Sequence, residues 1–142
     1  MQFLKQFFQG HHGYAPLFHL LMAAEFLLFG ISKVGFISGN FVALGILLAS
    51  VNWISWTLNP EQKTAEPAVI AALLTVCYHY PAWMIHDAFL DYALMAMVAV
   101  SFVFLLKAGR FHRRADALRF GIVAGLGMLT KQTFPFFFIL PA

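Results

Sequence analysis

The chain has 142 residues, of which 61% are hydrophobic, 17% aromatic and only 11% charged. Soluble domains are about one quarter charged, so this composition argues against a soluble protein and indicates one embedded in a membrane. The net charge of +3 comes mostly from one short segment, which excludes the extended basic surface that nucleic-acid binding requires.

The first residues predict a short amphipathic helix that lies in the membrane interface. Phe and Leu residues recur at helical spacing over positions 1–9, with Gln and Lys between them. A polar turn that contains two histidines follows at positions 10–16. We therefore expect the chain to meet the membrane surface before its first apolar helix.

Five apolar stretches occupy the remainder of the chain, and each is a candidate membrane helix. They lie near 16–34, 36–58, 67–86 and 88–106, and from 119 to the end. This pattern predicts an all-α, polytopic transmembrane bundle of about four to five membrane helices, in a single domain over 1–142. Because the last stretch ends without a polar flank, we expect the chain to be a fragment of a longer polytopic protein.

The orientation follows from the strongly basic segment at 107–119. It holds five Lys and Arg residues against a single acid, Asp116, and short loops of this kind stay on the cytoplasmic side. Two apolar stretches separate it from the polar linker at 59–67, so we expect both linkers on that side of the cell (inner) membrane. Asp87 and Asp91 should then face outward.

These two carboxylates are the first candidates for chemistry. Asp87 and Asp91 are four residues apart and share one helical face, with His86 and several aromatic residues just before them. Such a group could hold a metal ion or act as a general base. The alternative is that one of the acids only caps the helix N-terminus, where negative charge is favoured.

Lys131 is the second candidate, because it lies about 18 Å beyond the basic segment if the helix there is continuous. A lysine at that depth is costly unless it faces a cavity or an anionic partner, or extends to an interface. Gly121, Gly125 and Gly127 precede it and predict a face for close helix packing. Packing accounts for the glycines but leaves the lysine unexplained.

Glu25 raises the same question, since it also lies within an apolar stretch. It could pair with Lys33 or lie near an interface. The six histidines, in contrast, lack the i, i+3 or i, i+4 spacing of a metal-binding pair, so a haem or metal protein is the least favoured class.

Several segments, in order along the chain, resemble the C-type glycosyltransferases. Leu129-Thr130-Lys131, after a Gly-rich helix and a basic loop, looks like the family's GLALLTK segment. Ala88 to Leu94 is similar to R-x-F-L-x-D-x-x-L, His12 to Leu17 to H-P-P-L, and Leu28 to Gly30 to L-F-G. More narrowly, the chain resembles the domain shared by dolichyl-phosphate-mannose protein mannosyltransferases, aminoarabinose transferases of lipid A and Rgt-type lipopolysaccharide core transferases.

The resemblance implies an enzyme that moves a sugar from a polyprenyl-phosphate-linked donor to a lipid, glycan or protein acceptor at the outer membrane face. Lys131 would face the donor phosphate, and Asp91 would position the acceptor or a divalent metal ion. The site residues on this interpretation are Asp91 and Asp87 as catalytic acids, Lys131 as the phosphate ligand, and His12, Tyr14 and His86 at the rim.

The departures from the family pattern support an alternative to the enzyme, a non-catalytic membrane protein. Ala15 replaces a proline, and the family's principal acid in the first outer loop is missing, since no acidic residue precedes Glu25. A non-catalytic membrane subunit or scaffold would need no such acid. The resemblance also places both His12 and Asp91 on the outer side of the membrane. Three apolar stretches separate them, and three full crossings would put them on opposite sides. Either one stretch does not fully span the membrane or a boundary of the stretches is misplaced.

Overall fold

A computed structural model of the chain describes residues 16–59, 61, 64–78, 90–109 and 111–139. Its helices are α1 (Pro16–Phe29), α2 (Lys33–Leu58), α3 (Glu66–Cys77), α4 (Leu90–Ala108), α5 (Arg114–Thr130) and α6 (Phe136–Ile139). No strand occurs among the described residues, so the predicted all-α class is confirmed. The interfacial helix predicted at 1–9 lies outside them.

Two helices of the described part are long and apolar enough to cross a membrane. One is α2, with 26 residues and a mean hydropathy of 2.0; the other is the segment Asp91–Ala108 of α4, with 18 residues. The helices α1 and α3 have 14 and 12 residues, or about 21 and 18 Å, against a hydrocarbon core of ~30 Å. The described residues thus provide two helices of spanning length, and a bundle of four to five is not confirmed.

A tight turn joins α1 to α2. Gly30 adopts a positive φ of 75°, which glycine tolerates without steric cost. The amide of Gly35 then donates a hydrogen bond of 3.1 Å to the side-chain oxygen of Ser32, which caps the N-terminus of α2. Since a side chain at Gly35 would overlap the Gly30 carbonyl oxygen, the small residues hold the two helices in an antiparallel hairpin.

The basic segment forms a second, shorter turn than its sequence suggested. Lys107 and Ala108 are the last residues of α4, and helix resumes at Arg114. Between them Gly109 and Phe111 both have positive φ, and the Arg113 amide donates a hydrogen bond of 3.2 Å to the Ala108 carbonyl oxygen. The α4 and α5 helices are therefore antiparallel, and the predicted loop of 107–119 contracts to 109–113.

The central helix is α4, which packs against both α2 and α5. Its contact with α2 is formed by Ala43, Tyr92 and Ala96, all of which are buried, with Leu44 and Met95 packed around them. The small side chains of Ala43 and Ala96 let the two helix backbones approach closely. Close packing of this kind holds apolar helices together in a membrane, where the hydrophobic effect does not favour helix–helix contacts over helix–lipid contacts.

The relative direction of α2 and α4 follows from a cation–π contact. The ammonium nitrogen of Lys107 lies 3.6 Å from the centroid of the Trp53 ring. Lys107 is near the C-terminal end of α4 and Trp53 near that of α2, so these two helices run in the same direction. Asn59, which follows α2, and the basic turn therefore lie at the same end of the bundle, as predicted for the two linkers.

The topology can be tested with two single cysteines at opposite ends of the bundle. Ile31, 92% exposed in the turn between α1 and α2, and the exposed His112 in the basic turn are suitable positions, in a Cys77→Ser background. Because the basic turn should stay cytoplasmic, a membrane-impermeant maleimide should label Ile31→Cys on intact cells and should label His112→Cys only after permeabilisation. Labelling of position 112 on intact cells would contradict this orientation.

Candidate functional site

The chain changes direction at Lys131. The helix α5 ends at Thr130, and Lys131 adopts an extended conformation while its amide donates a hydrogen bond of 3.1 Å to the Gly127 carbonyl oxygen. Turns at 132–135 then lead into the short α6. The expectation that one apolar helix runs from 119 to the end is therefore wrong, and Lys131 lies just beyond the end of a helix rather than in its interior.

The side chain of Lys131 pairs with Asp91. Its ammonium group donates a short hydrogen bond to one carboxylate oxygen of Asp91, and the two side chains are 32% and 24% exposed. The residues are 40 positions apart, and the antiparallel arrangement of α4 and α5 brings them together. Asp91 also lies in the first turn of α4, where the helix dipole favours negative charge. Lys131 thus has the anionic partner that its apolar surroundings require.

A cluster of phenylalanine rings fixes the segment after Lys131. The Phe134 side chain is 2% exposed and its ring lies against Gly127, where any side chain would overlap it. Phe138 then stacks on Phe102 of α4, with ring centroids 4.8 Å apart. These contacts therefore hold the segment against both α4 and α5 and keep the Lys131 backbone in place.

The glycines of α5 do not act as one packing face. Gly127 makes the close approach that the sequence predicted, because the Phe134 ring occupies the space above it. At Gly121 and Gly125, in contrast, an added side-chain carbon would meet no atom of the described residues within 4 Å. The predicted role in close packing is therefore wrong for those two positions within this chain.

An apolar groove lies between α2, α3 and α4, and its first wall residues on α4, Leu94 and Met95, follow Asp91 by about one helical turn. The groove encloses about 560 Å³ and is lined by apolar side chains from all three helices and by Phe137 of α6. Met95, Val98 and Phe102 line it from α4, and they follow Asp91 at intervals of four, seven and eleven residues. Because this spacing keeps residues on one helical face, Asp91 shares the face of α4 that forms the groove wall, although neither Asp91 nor Lys131 lines the groove.

Four of the predicted site residues fall outside the described residues: His12, Tyr14, His86 and Asp87. In the described ranges, no three His, Cys, Asp or Glu side chains are placed to hold a metal ion. The site that can be built from the described residues therefore consists of Asp91, Lys131 and the groove. The groove itself was missed by the sequence analysis, because its walls come from three separate apolar stretches whose contacts hydropathy does not predict.

The Glu25 carboxylate has a partner on α2 that the sequence analysis did not predict. Its carboxylate lies against Gly39 of α2, whose backbone hydrogen-bonds it, and a side chain at Gly39 would overlap its oxygens. No ion pair joins it to Lys33 in the described structure. The signal in the sequence was the glycine itself, which leaves room for a carboxylate from a neighbouring helix.

A comparison of the chain with protein-family models, curated proteins and solved structures finds no match. Functional inference therefore relies on the geometry of the Asp91–Lys131 pair and its groove, together with the resemblance of the short segments that carry these two residues.

The strength of the pair can be measured with a double-mutant cycle of Asp91→Asn and Lys131→Met. Each single substitution leaves a partly buried charge without its partner, so the coupling free energy of unfolding should be about 1 kcal/mol. Thermal or denaturant unfolding in detergent micelles provides the measurement.

The control is the i, i+3 pair Asp116–Arg119 within α5, with an N–O distance of 2.9 Å, in which the Arg119 side chain is 60% exposed and that of Asp116 14% exposed. Its cycle should give less than ~0.5 kcal/mol, as exposed helix pairs do. Equal coupling in both cycles would show that the Asp91–Lys131 pair is an ordinary surface contact.

The contact between Gly127 and Phe134 predicts opposite effects of one substitution at two glycines of α5. Gly127→Ala forces the Phe134 ring away and should lower the free energy of unfolding by about 1–3 kcal/mol. Gly125→Ala meets no atom and should be neutral or stabilising by up to ~1 kcal/mol, because alanine favours helix. Melting temperatures of the two variants, measured in the same detergent, test this prediction. Equal effects at both positions would contradict the role of Phe134.

Proposed function

We propose that this protein is a membrane glycosyltransferase that moves a sugar from a polyprenyl-phosphate donor to a lipid, glycan or protein acceptor at the outer membrane face. The single observation that carries the proposal is the Asp91–Lys131 pair, whose acid lies one helical turn before the α4 wall of an apolar groove. A lipid-linked sugar phosphate has an apolar tail, an anionic linkage and a polar sugar, and this arrangement offers a complementary surface for each of the first two.

The donor is held by the groove and by Lys131. A groove of about 560 Å³ with almost wholly apolar walls provides a favourable environment for the first units of a prenyl chain. The Lys131 side chain reaches Asp91, one turn before the groove wall on α4, so a donor whose chain occupies the groove would bring its phosphate to this end of α4. Charge-assisted hydrogen bonds between an ammonium and a phosphate are about twice as strong as neutral ones, so Lys131 fixes the head of the donor.

Asp91 acts on the acceptor. Its carboxylate takes the proton of the acceptor hydroxyl while that oxygen bonds to the anomeric carbon of the sugar. The bond from that carbon to the phosphate oxygen breaks with its electron pair, and the polyprenyl phosphate leaves with the negative charge. Lys131 stabilises this charge as it develops, which is the principal electrostatic demand of the step.

The resting ion pair prepares both residues for these roles. Asp91 holds the ammonium group of Lys131 at the start of α4, and the ammonium group in turn orients the carboxylate. A donor phosphate competes for the same ammonium, so its binding frees one carboxylate oxygen for the acceptor. Binding of the donor thereby activates the base.

The proposed orientation agrees with the geometry of the hairpin. The pair lies where α4 begins and α5 ends, and the basic turn lies where α4 ends. A helix of 19 residues separates them by about 28 Å, close to the thickness of a bilayer core. With the basic turn on the cytoplasmic side of the inner membrane, the pair faces outward, in a protein that crosses the membrane several times.

The alternative is a non-catalytic membrane subunit, in which the ion pair only joins α4 to the end of α5. One specific observation favours it: the same pair, with the buried Phe134, suffices to explain why Lys131 is tolerated. A charge swap separates the two functions, because it keeps the attraction and exchanges the positions of acid and base.

The test compares sugar transfer in membranes that contain Asp91→Ala, Lys131→Ala or the swap Asp91→Lys/Lys131→Asp. Radiolabelled polyprenyl-phosphate mannose serves as the first donor, and labelled product is counted. Each alanine variant should reduce transfer at least 100-fold, in the range of lost acid–base or electrostatic catalysis, and the swap should remain inactive while its melting temperature recovers. Transfer at the wild-type rate in either alanine variant would overturn the proposal. Transfer activity in the swapped variant would show that the pair serves only as a structural contact.

A further inference from the structure

A second cavity lies on the opposite face of α4, between α1, α2 and α4. It encloses about 300 Å³, at the lower limit of the ~300–1,000 Å³ typical of small-molecule sites. Ala93, Ala96 and Met97 line it from α4, whereas Leu94, Met95 and Val98 line the groove beneath Asp91. The two cavities are therefore on different faces of one helix, and a ligand of the second need not touch the Asp91–Lys131 pair.

The walls of this cavity are apolar except for three side chains, Glu25, Ser38 and Asn40. The Ser38 hydroxyl donates a hydrogen bond of 2.9 Å to the Gly35 carbonyl oxygen within its own helix. Asn40 is buried and has a partner of its own. Glu25 is thus the group whose chemistry is left to define what the cavity binds.

The Glu25 carboxylate has acceptor capacity to spare. An ionised carboxylate accepts about four hydrogen bonds, and the backbone of Gly39 uses part of that capacity. The two ion pairs of the described residues join Asp91 and Asp116 to basic side chains, and neither includes Glu25. A carboxylate in an apolar wall is costly unless it meets a cation or a hydrogen-bond donor.

We infer that this cavity is a binding site for a small organic amine with an apolar body. The ammonium group donates hydrogen bonds to Glu25, and the apolar body occupies the space between Met22, Val42 and Ala96. The size of the cavity limits the ligand to a compact molecule, and the carboxylate selects an amine over an alcohol or an acid of the same shape. This site is additional to the proposed glycosyl transfer and does not depend on it.

The test uses 2-phenylethylamine as the probe and 2-phenylethanol as its uncharged counterpart of nearly the same shape. Binding to the purified protein in phosphatidylcholine nanodiscs is measured by calorimetry. The amine should bind at least tenfold more tightly than the alcohol, and Glu25→Gln should remove that preference. Glu66→Gln, which changes an exposed carboxylate far from the cavity walls, should keep it. Equal binding of the two probes to the wild type, or a preference retained in Glu25→Gln, would overturn the inference.

A second pair of variants keeps the test valid if Glu25→Gln fails to fold. Gly39→Ala introduces a methyl group at the position of the Glu25 carboxylate and so displaces the carboxylate from its place in the cavity, whereas Gly45→Ala, on the same helix, meets no atom of the described residues within 4 Å. The amine preference should fall at least tenfold in Gly39→Ala and remain in Gly45→Ala. A preference retained in Gly39→Ala would equally overturn the inference.

Discussion

The ammonium group of Lys131 has to be neutralised in a chain that is 61% hydrophobic, and the rest of the arrangement follows from this requirement. Its partner, Asp91, lies at the start of the preceding helix, so the pair forms only when α4 and α5 are antiparallel and in register. The tight turn at 109–113 sets this register at one end, and Phe134 against Gly127 sets it at the other. The ion pair, the turn and the contact of Phe134 with Gly127 thus together fix the position of the Lys131 ammonium group.

The small residues of α4 explain why it is the central helix. Ala96, Ala99 and Ser101 are buried, and such short side chains let α2 and α5 approach the α4 backbone on two sides. Between these two contacts the remaining faces of α4 stay open, and each borders one of the two cavities. Close packing on two faces and open space on the others are therefore two results of the same residue pattern.

Composition and charge predicted the all-α class and the hairpin around the basic segment. They also predicted that Lys131 needs a cavity, an anionic partner or an interface, and the structure shows the anionic partner. The lengths of α1 and α3 could not be predicted, since apolar residues continue beyond the helix ends at Phe29 and Cys77. Nor could spacing alone pair Lys131 with Asp91 across 40 positions, or reveal that Glu25 lies against Gly39 instead of Lys33. These contacts depend on how helices are oriented about their axes, which a weakly amphipathic sequence leaves open.

The separation of the two paired charges also has a consequence for synthesis. Asp91 leaves the ribosome 40 residues before Lys131, so for several seconds at ~5–20 residues per second the acid exists without its base. During that interval α4 carries an uncompensated carboxylate at its N-terminal end, and water has to solvate it. The pair can form only after Lys131 has emerged, so completion of the α4–α5 hairpin, rather than emergence of α4 alone, fixes the position of this end of α4.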